Sequence, residues 1–537
     1  MFLFLNIQLS LSRTMNENEP DQSSGSFHEV SLAGLPDPIM TIKTKKERAP
    51  SDKQPAITPK GYVIIVVLFT INLLNYMDRL TISAVLTSVT RYYDLTSSQG
   101  GLLQTVFIVF FMAVAPICGW LGDRYNRKWI MVGGLLVWIA AVLASTFVPS
   151  NMFYLFLFFR GMVGTGEASY SVIAPTVIAD MFKSTVRSKV LMVFYLAIPL
   201  GSGLGYMVGS TISSAMGAWQ WGLRVTPIFG AVCVFILVLF VEEPEREVLE
   251  KVKDDENASI WKDITYLLKN KTYFFSTWGY TFIIFAVGTL SWWAPSTIEY
   301  AIADRNGLNS TEDLEPSEKD SVGTIFGGIT LISGLVGVIT GTLFATAWKN
   351  GTYCFKNHSS IRADVFVCII GSVIATPLLF VALYTIDVGL TLAYIFIFFT
   401  TTSLSLNWAC NVDLLMYIVV PRKRNIASAV QTSVGHAFGD ASGPYIVGFI
   451  SDLISKGDSS PGTKFTSLRT AFLLPNALLV LSGIMYIIAA FTLPHDLSKL
   501  ENIEIQYHKG TETINSIKKL KNTVGDSTKE KYMQQEY

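Results

Sequence analysis

Residues 61–86 read GYVIIVVLFTINLLNYMDRLTISAVL, an apolar run that is interrupted by a pair of charged residues, Asp78 and Arg79. An α-helix needs about 20 apolar residues to cross a hydrocarbon core about 30 Å thick. A charged side chain inside a membrane is costly and usually has a function. The run therefore predicts a membrane-spanning helix that carries two charged candidates for function.

The composition of the whole chain extends this prediction to a protein that crosses the membrane many times. Of its 537 residues, 50% are hydrophobic and only 15% are charged, whereas soluble domains carry roughly a quarter charged residues. Basic and acidic residues balance, so nothing indicates a nucleic-acid partner. No GxxxxGK[ST] loop occurs, which argues against an ATP-driven pump. The five cysteines lack metal-ligand spacing, so we expect no metal and no cofactor.

Twelve apolar segments predict an all-α polytopic membrane protein with twelve transmembrane helices. They cover about 60–86, 99–121, 129–148, 152–181, 188–213, 223–242, 273–302, 321–347, 364–385, 389–419, 427–454 and 469–492. The predicted parts are a disordered tail (1–58), a first six-helix bundle (59–242), a charged linker with a short surface helix (243–272), a second six-helix bundle (273–493) and a polar tail (494–537). Either Met1 or Met15 is the start.

The basic residues of the loops predict the orientation in the membrane. Clusters such as 124–128 and 422–424 fall on one side, whereas the loops of the other side contain only Arg91, Arg305, Lys319, Lys456 and Lys464. Because cytosolic loops are enriched in Lys and Arg, both termini are predicted to be cytosolic. Asn309 starts an Asn-Ser-Thr sequon in an outer loop and is a glycosylation candidate.

The loop after the second segment reads GWLGDRYNRKWIM, residues 119–131, and resembles the signature of the major facilitator superfamily. Asn126 replaces its second glycine, and the matching residues are Gly119, Leu121, Asp123, Arg124, Arg127 and Lys128. Within the superfamily the chain is similar to the Spinster family over residues 60–495, in NYMDR, GLLQTVFI, RGMVGTGEASYSVIAPTVIADMF, FYLAIPLGSGLGYMVGS, LNWACNVDLLMYIVVPRKR and GHAFGDASGPYIVGFISD. The corresponding loop of the second half, LFATAWKNGTYCFKNHSSIRAD, lacks a second signature.

The resemblance implies a major facilitator fold and secondary active transport by alternating access. It implies a lipid-like cargo, either a lysophospholipid or a sphingolipid such as sphingosine phosphate, driven by protons. It also implies a monomer in contact with membrane lipid in the lysosomal or late endosomal membrane, with the plasma membrane as the alternative. Two other functions stay open: a carrier of a polar organic anion or sugar phosphate, and a non-transporting sensor or receptor. No enzymatic activity is expected.

The charged residues of the predicted spans are the candidates for proton coupling or substrate binding. Neighbours on a helix point about 100° apart, so Asp78 and Arg79 should meet different partners. Asp78 is expected to carry protons, whereas Arg79 is either functional or holds Asp78 in place. Arg160 and Glu167 share one helix face, about 10 Å apart along the axis. Glu167 is expected to couple or bind substrate, and Arg160 to tune its charge or contact a phosphate.

Two further polar groups occur in the second half. His436 is the only histidine within a predicted span, and Asp440 follows one turn later on the same face. Function and simple hydrogen bonding are equally compatible with this pair. Asn407, Trp408, Asn411 and Asp413 form a polar stripe that is a candidate cavity lining.

Other residues are expected to control the conformation. Gly119, Asp123, Arg124, Arg127 and Lys128 form a candidate gate, because a carboxylate at a helix end can interact with the positive N-terminus of a neighbouring helix. Gly201, Gly205 and Gly209 predict close helix packing. Trp292 and Trp293 predict an interfacial aromatic belt, with a kinked gate helix as the alternative.

Overall fold

The computed structural model describes residues 59–181, 184–241, 260–356, 358–420 and 423–500, so both terminal tails over 1–58 and 501–537 lie outside it. The first half consists of α1 (Pro59–Ala84), α2 (Leu86–Tyr92), α3 (Ser97–Arg124), α4 (Arg127–Ser145), α5 (Phe153–Met181), α6 (Ser184–Met216) and α7 (Trp219–Phe240). The described part of the linker is the predicted short helix, α8 (Ile260–Lys269).

The second half contains α9 (Lys271–Arg305), α10 (Pro316–Asn350), α11 (Ala363–Thr385), α12 (Leu390–Ile418), α13 (Arg424–Gly435), α14 (Ser442–Ser455), α15 (Pro461–Ala471) and α16 (473–500). A π-helical turn, His436–Asp440, separates α13 from α14. The last helical segment begins at Pro461 and continues through Leu500, so it is longer than the predicted 469–492. No strand occurs among the described residues.

Ten of the described helices are long and apolar enough to cross a membrane by length and composition. The other two predicted segments are helical as well. One is α5, which carries Arg160 and Glu167 and is not among those ten. The other is divided by the π-helical turn into α13 and α14, neither of which is long enough to span alone. Four of the functional candidates lie in these two segments: Arg160 and Glu167 in α5, and His436 and Asp440 in the π-helical turn.

Helix α1 packs tightly against α6, as the glycine spacing predicts. A Cβ atom at Gly201 or Gly205 would lie 2.5 or 2.4 Å from the backbone oxygen of Leu73 or Met77, respectively. Only glycine permits this approach, so the predicted close packing is confirmed. The contact fixes the position of the α1 segment that carries Asp78 and Arg79.

Helices α1–α7 and α9–α16 form two bundles, which meet along α6 with α10 and along α3 with α14. We call the end with the loops after α2, α4, α6, α9, α11 and α14 the outer end, following the predicted orientation. Among the described residues, the hydrogen bonds between the bundles run from Arg79–Asp440 to this outer end. The contact near the outer end, formed by Ser83, Thr87, Gly100, Trp292, Trp293, Glu299 and Pro444, is the outer seal.

The two tryptophans of α9 belong to the outer seal and not to a membrane interface. Trp292 and Trp293 are each 2% exposed. Trp292 Nε1 donates to Gly100 O at 3.2 Å, and Trp293 Nε1 donates to Pro444 O at 2.9 Å. A buried indole needs such a partner for its N–H group. The expectation of an aromatic belt is therefore wrong, and the alternative of a gate is favoured.

Candidate functional site

Asp78 points into the N-terminal bundle. Its Oδ2 atom lies 3.8 Å from Arg160 Nη1, and both side chains are 1% exposed. Thr226 donates its hydroxyl to Asp78 Oδ1 at 2.9 Å. This charge pair joins α1 to α5 inside one bundle.

Arg79 points the other way, to the C-terminal bundle. Its Nη2 atom lies 2.8 Å from Asp440 Oδ2 in the π-helical turn. His436 Nδ1 contacts the same carboxylate at 3.0 Å, which confirms the predicted proximity of His436 and Asp440. Different partners for Asp78 and Arg79 are also confirmed. The suggestion that Arg79 holds Asp78 in place is wrong, because the helix turns about 100° between them.

Phe107 of α3 lies between the two ion pairs. The Cζ atoms of Arg79 and Arg160 are 5.2 and 5.6 Å from the centroid of its ring. Such cation–π contacts stabilise guanidinium groups in apolar surroundings. Sequence reasoning missed this residue, which occurs in the GLLQTVFI stretch that was assigned no role.

Glu167 approaches the same cluster from α5. It is 3% exposed, and its ionisable neighbours include Arg79, Asp78, Arg160 and His436. The prediction that it shares a face with Arg160 is confirmed, because both reach this cluster. Within the described part of the chain, no hydrogen bond or ion pair of its carboxylate is formed. Glu167 is therefore the acid of the cluster that is available to a proton or a ligand.

The polar stripe of α12 does not form one surface. Asn407 is completely buried, and its amide nitrogen lies 2.5 Å from where Gly371 would place a Cβ atom. Asn411 is also buried, and it bonds Gln431 and Tyr486 at 3.0 and 3.1 Å. These two residues pack helices together and do not line a cavity, because residues four apart share a helix face.

The other two members of the stripe are accessible. Trp408 is 41% exposed, and its ring lies edge-on to Tyr280 of α9 at 5.9 Å. Tyr280 in turn is a neighbour of Asp440. Asp413 is exposed. Trp408 is therefore linked to the charged cluster through Tyr280, a residue that the sequence did not indicate.

The candidate gate residues make contacts within the N-terminal bundle. Arg127, at the start of α4, pairs with Asp180 near the end of α5. Lys128 donates to Val238 O of α7 at 2.8 Å.

The remaining gate candidates lie at the end of α3. Arg124 stacks over Trp120 at 4.1 Å. A Cβ atom at Gly119 would make an ordinary contact with Val172 at 3.6 Å. The side chain of Asp123 lies outside the described residues, so its role as a latch stays a prediction.

Other sequence candidates are peripheral. Asn309 is exposed in the loop between α9 and α10, where its glycosylation stays a prediction. Within the described ranges, no group of three or more His, Cys, Asp or Glu side chains could hold a metal ion.

Comparisons with known proteins agree on one family. The model of the Major Facilitator Superfamily matches residues 68–444. Protein spinster homolog 1 of Xenopus laevis is 42% identical over 82% of this chain and 83% of its own length. Sphingosine-1-phosphate transporter SPNS2 of Xenopus tropicalis is 40% identical over 89% of this chain and 90% of its own length.

A solved structure gives the same fold. A bacterial homolog of the human lysosomal transporter Spinster, in an inward-facing and unoccupied conformation, superposes with a TM-score of 0.69. It is 18% identical, and the match covers 82% of this chain and 98% of the bacterial one. The predicted major facilitator fold is confirmed.

Proposed function

Because the chain belongs to the Spinster family of the major facilitator superfamily, we propose that it carries a lipid with a charged headgroup by alternating access. Its relatives are transporters, which indicates that the chain is a transporter and not an enzyme. The cargo class that fits the site is a lysophospholipid or a sphingosine-phosphate-like sphingolipid. The proposed driving force is a proton gradient.

The observation that carries the cargo proposal is a cluster of buried charges with unused donors. Arg160 is buried, and its Nε and Nη2 atoms have no hydrogen-bond partner. A guanidinium group can donate several hydrogen bonds to one phosphate. Arg160 would therefore bind an anionic headgroup, and Glu167 would meet an ammonium group or carry the proton.

A lipid tail also needs an apolar surface next to the charges. Phe438 lies in the π-helical turn between His436 and Asp440, is 58% exposed, and packs against Trp278 at 5.7 Å between ring centroids. Trp408 is exposed as well. Exposed aromatic side chains close to a charged cluster suit a molecule with a charged end and an apolar end. A small polar anion would leave this surface unused.

Within the cluster we assign the coupling proton first to Glu167. A buried carboxylate without a partner is costly while it is charged, so binding a proton or a cation stabilises it. Asp78 has two partners in its own bundle and is the second candidate. The acidic compartment that would supply protons is the lysosome or late endosome, and the plasma membrane is the alternative location.

Uptake into liposomes tests the cargo. The purified chain is reconstituted, and uptake of a labelled lysophospholipid and of sphingosine phosphate is measured with an imposed pH gradient. Protein-free liposomes and the Arg160→Lys variant serve as controls, since lysine keeps the charge but loses the forked donors. We expect lipid uptake that excess soluble organic anion does not inhibit.

Two outcomes would contradict the cargo proposal. Uptake of the soluble anion, with no uptake of either lipid, would indicate the polar-anion carrier. Lipid binding without any flux would indicate a sensor or receptor.

A further inference from the structure

Asp452, at the outer end of α14, binds the first turn of α3 in the other bundle. Its Oδ1 atom accepts a hydrogen bond from Ser97 N at 2.8 Å, and its Oδ2 atom accepts one from Ser98 N at 2.7 Å. The first N–H groups of a helix lack partners within the helix. The helix N-terminus also carries partial positive charge, which favours a carboxylate. Asp452 is thus a helix cap supplied by the opposite bundle.

The residue that caps α3 locally does not bind the N–H groups that Asp452 binds. Thr96 is the residue before the helix, and among the backbone N–H groups of α3 its hydroxyl accepts only that of Gln99, at 3.3 Å. The N–H groups of Ser97 and Ser98 would have no partner without Asp452. Capping of α3 is therefore complete only while the outer ends of the two bundles are together.

The surroundings of Asp452 bring the two helices close together. Gly448 lies one turn earlier, and a Cβ atom there would be 2.3 Å from Ser97 O. Lys464 of α15 places its Nζ atom 3.4 Å from Asp452 Oδ1 and 3.1 Å from Ser97 Oγ. The glycine permits the approach, and the lysine balances the charge of the carboxylate.

The sequence around Asp452 repeats a pattern from the inner end of the molecule. Residues 448–452 read GFISD, and residues 119–123 of the signature loop read GWLGD. Both stretches have the form Gly-x-x-x-Asp and both lie at the C-terminal end of a helix, α14 and α3. Helix α14 ends at the outer side, whereas α3 ends at the inner side. The chain thus carries the same Gly-x-x-x-Asp spacing near the outer end of α14 and near the inner end of α3.

We propose that Asp452 is the outer counterpart of the signature carboxylate, a latch that keeps the outer end closed by capping α3. The latch opens when the outer ends of the bundles separate, and α3 then loses two of its cap bonds. This inference rests on the proposed alternating-access function. It does not depend on which cargo is carried.

A cysteine in the outer seal reports how often the latch opens. Ser296 of α9 is 2% exposed, its hydroxyl has no hydrogen-bond partner, and it lies one turn from Trp292 and from Glu299. The parent protein is Ser296→Cys with Cys354→Ser, because Cys354 is the exposed native cysteine in the described residues. A membrane-impermeant thiol reagent is added from the outer side without cargo. The rate at which it modifies the new cysteine at position 296 follows the fraction of molecules whose outer end is open.

We expect Asp452→Ala to raise this modification rate about five- to tenfold, the size of a lost helix cap. Asp458→Ala is the matched control, because Asp458 is an acid of the loop that follows α14 and bonds only Ser460 and Thr463 among the described residues. Its rate should equal that of the parent.

A second variant removes the donor in place of the acceptor. Ser97→Pro deletes the N–H group that Asp452 Oδ1 accepts, and proline is tolerated at the first position of a helix. It should raise the rate similarly, and the double variant should not exceed the stronger single one. The latch proposal would be wrong if both single variants were modified at the parental rate. It would also be wrong if the increase in the double variant equalled the product of the two single increases. If the modification rates change as expected but no lipid uptake is measured, the result would contradict the proposed cargo and not the latch.

Discussion

Asp78 and Arg79 are neighbours on one helix, but their ion pairs differ in where they lie. The Asp78–Arg160 pair is inside the N-terminal bundle, with both side chains 1% exposed. The Arg79–Asp440 pair crosses between the bundles, with side chains 14% and 13% exposed. In alternating access the bundles move largely as rigid bodies. Under the proposed alternating access, the first pair can therefore persist through the cycle, whereas the second has to break.

Glu167 is the third case, an acid of the same cluster without an ion pair among the described residues. The comparison thus separates a pair within one bundle, a pair between the bundles and an acid that is free to bind. A substitution can disturb each of the three separately. The expected loss of unfolding free energy decreases in the same order.

The largest effect is expected for the pair inside the bundle. Asp78→Ala leaves the Arg160 guanidinium buried without its partner and should lower the free energy of unfolding by about 3–5 kcal/mol. Denaturant unfolding in detergent measures this value. Arg79→Ala, which changes the neighbouring residue, should cost clearly less. Equal losses in the two variants would remove the distinction between the pairs.

The packing that positions both charges should be the next most sensitive feature. A Cβ atom at Gly205 would lie 2.4 Å from Met77 O, so Gly205→Ala should destabilise the protein by about 1–3 kcal/mol. Gly133→Ala is a matched control, because a Cβ atom there meets nothing within 4 Å. The same unfolding assay compares them. An unchanged Gly205→Ala protein would mean that α1 is not held in register by α6.

The pair between the bundles should affect the conformation more than the stability. Asp440→Asn removes the charge that Arg79 faces and should cost about 1–2 kcal/mol of unfolding free energy. Because it weakens a contact of the outer-closed form, it should also increase the modification of Ser296→Cys from the outer side. Asp78→Asn should not do so. Increased modification in Asp78→Asn alone would reverse the two assignments.

The smallest effect is expected at Asp413. Its side chain is exposed and has no ion pair within the described ranges, so Asp413→Asn should change the unfolding free energy by less than about 0.5 kcal/mol. Lipid uptake should stay at the parental rate. A loss of uptake at parental stability would instead make Asp413 part of the cargo path.

The sequence predicted these features as far as they depend on local geometry. Helical periodicity was enough to separate Asp78 from Arg79 and to bring His436 next to Asp440. It could not identify Arg160 and Asp440 as the partners, because those contacts arise from the packing of distant helices. The apolar side chains gave no signal of their own, so Phe107 was missed and Trp292 and Trp293 were assigned to the wrong environment.

The central claim is that Glu167 carries the proton that drives lipid transport. It is tested most directly by comparing two fluxes in liposomes that contain Glu167→Gln: uptake driven by a pH gradient, and exchange of labelled for unlabelled lipid without a gradient. Glutamine keeps the size of the side chain but cannot bind the proton. We predict that gradient-driven uptake is lost while exchange continues. Gradient-driven uptake at the parental rate would contradict the claim.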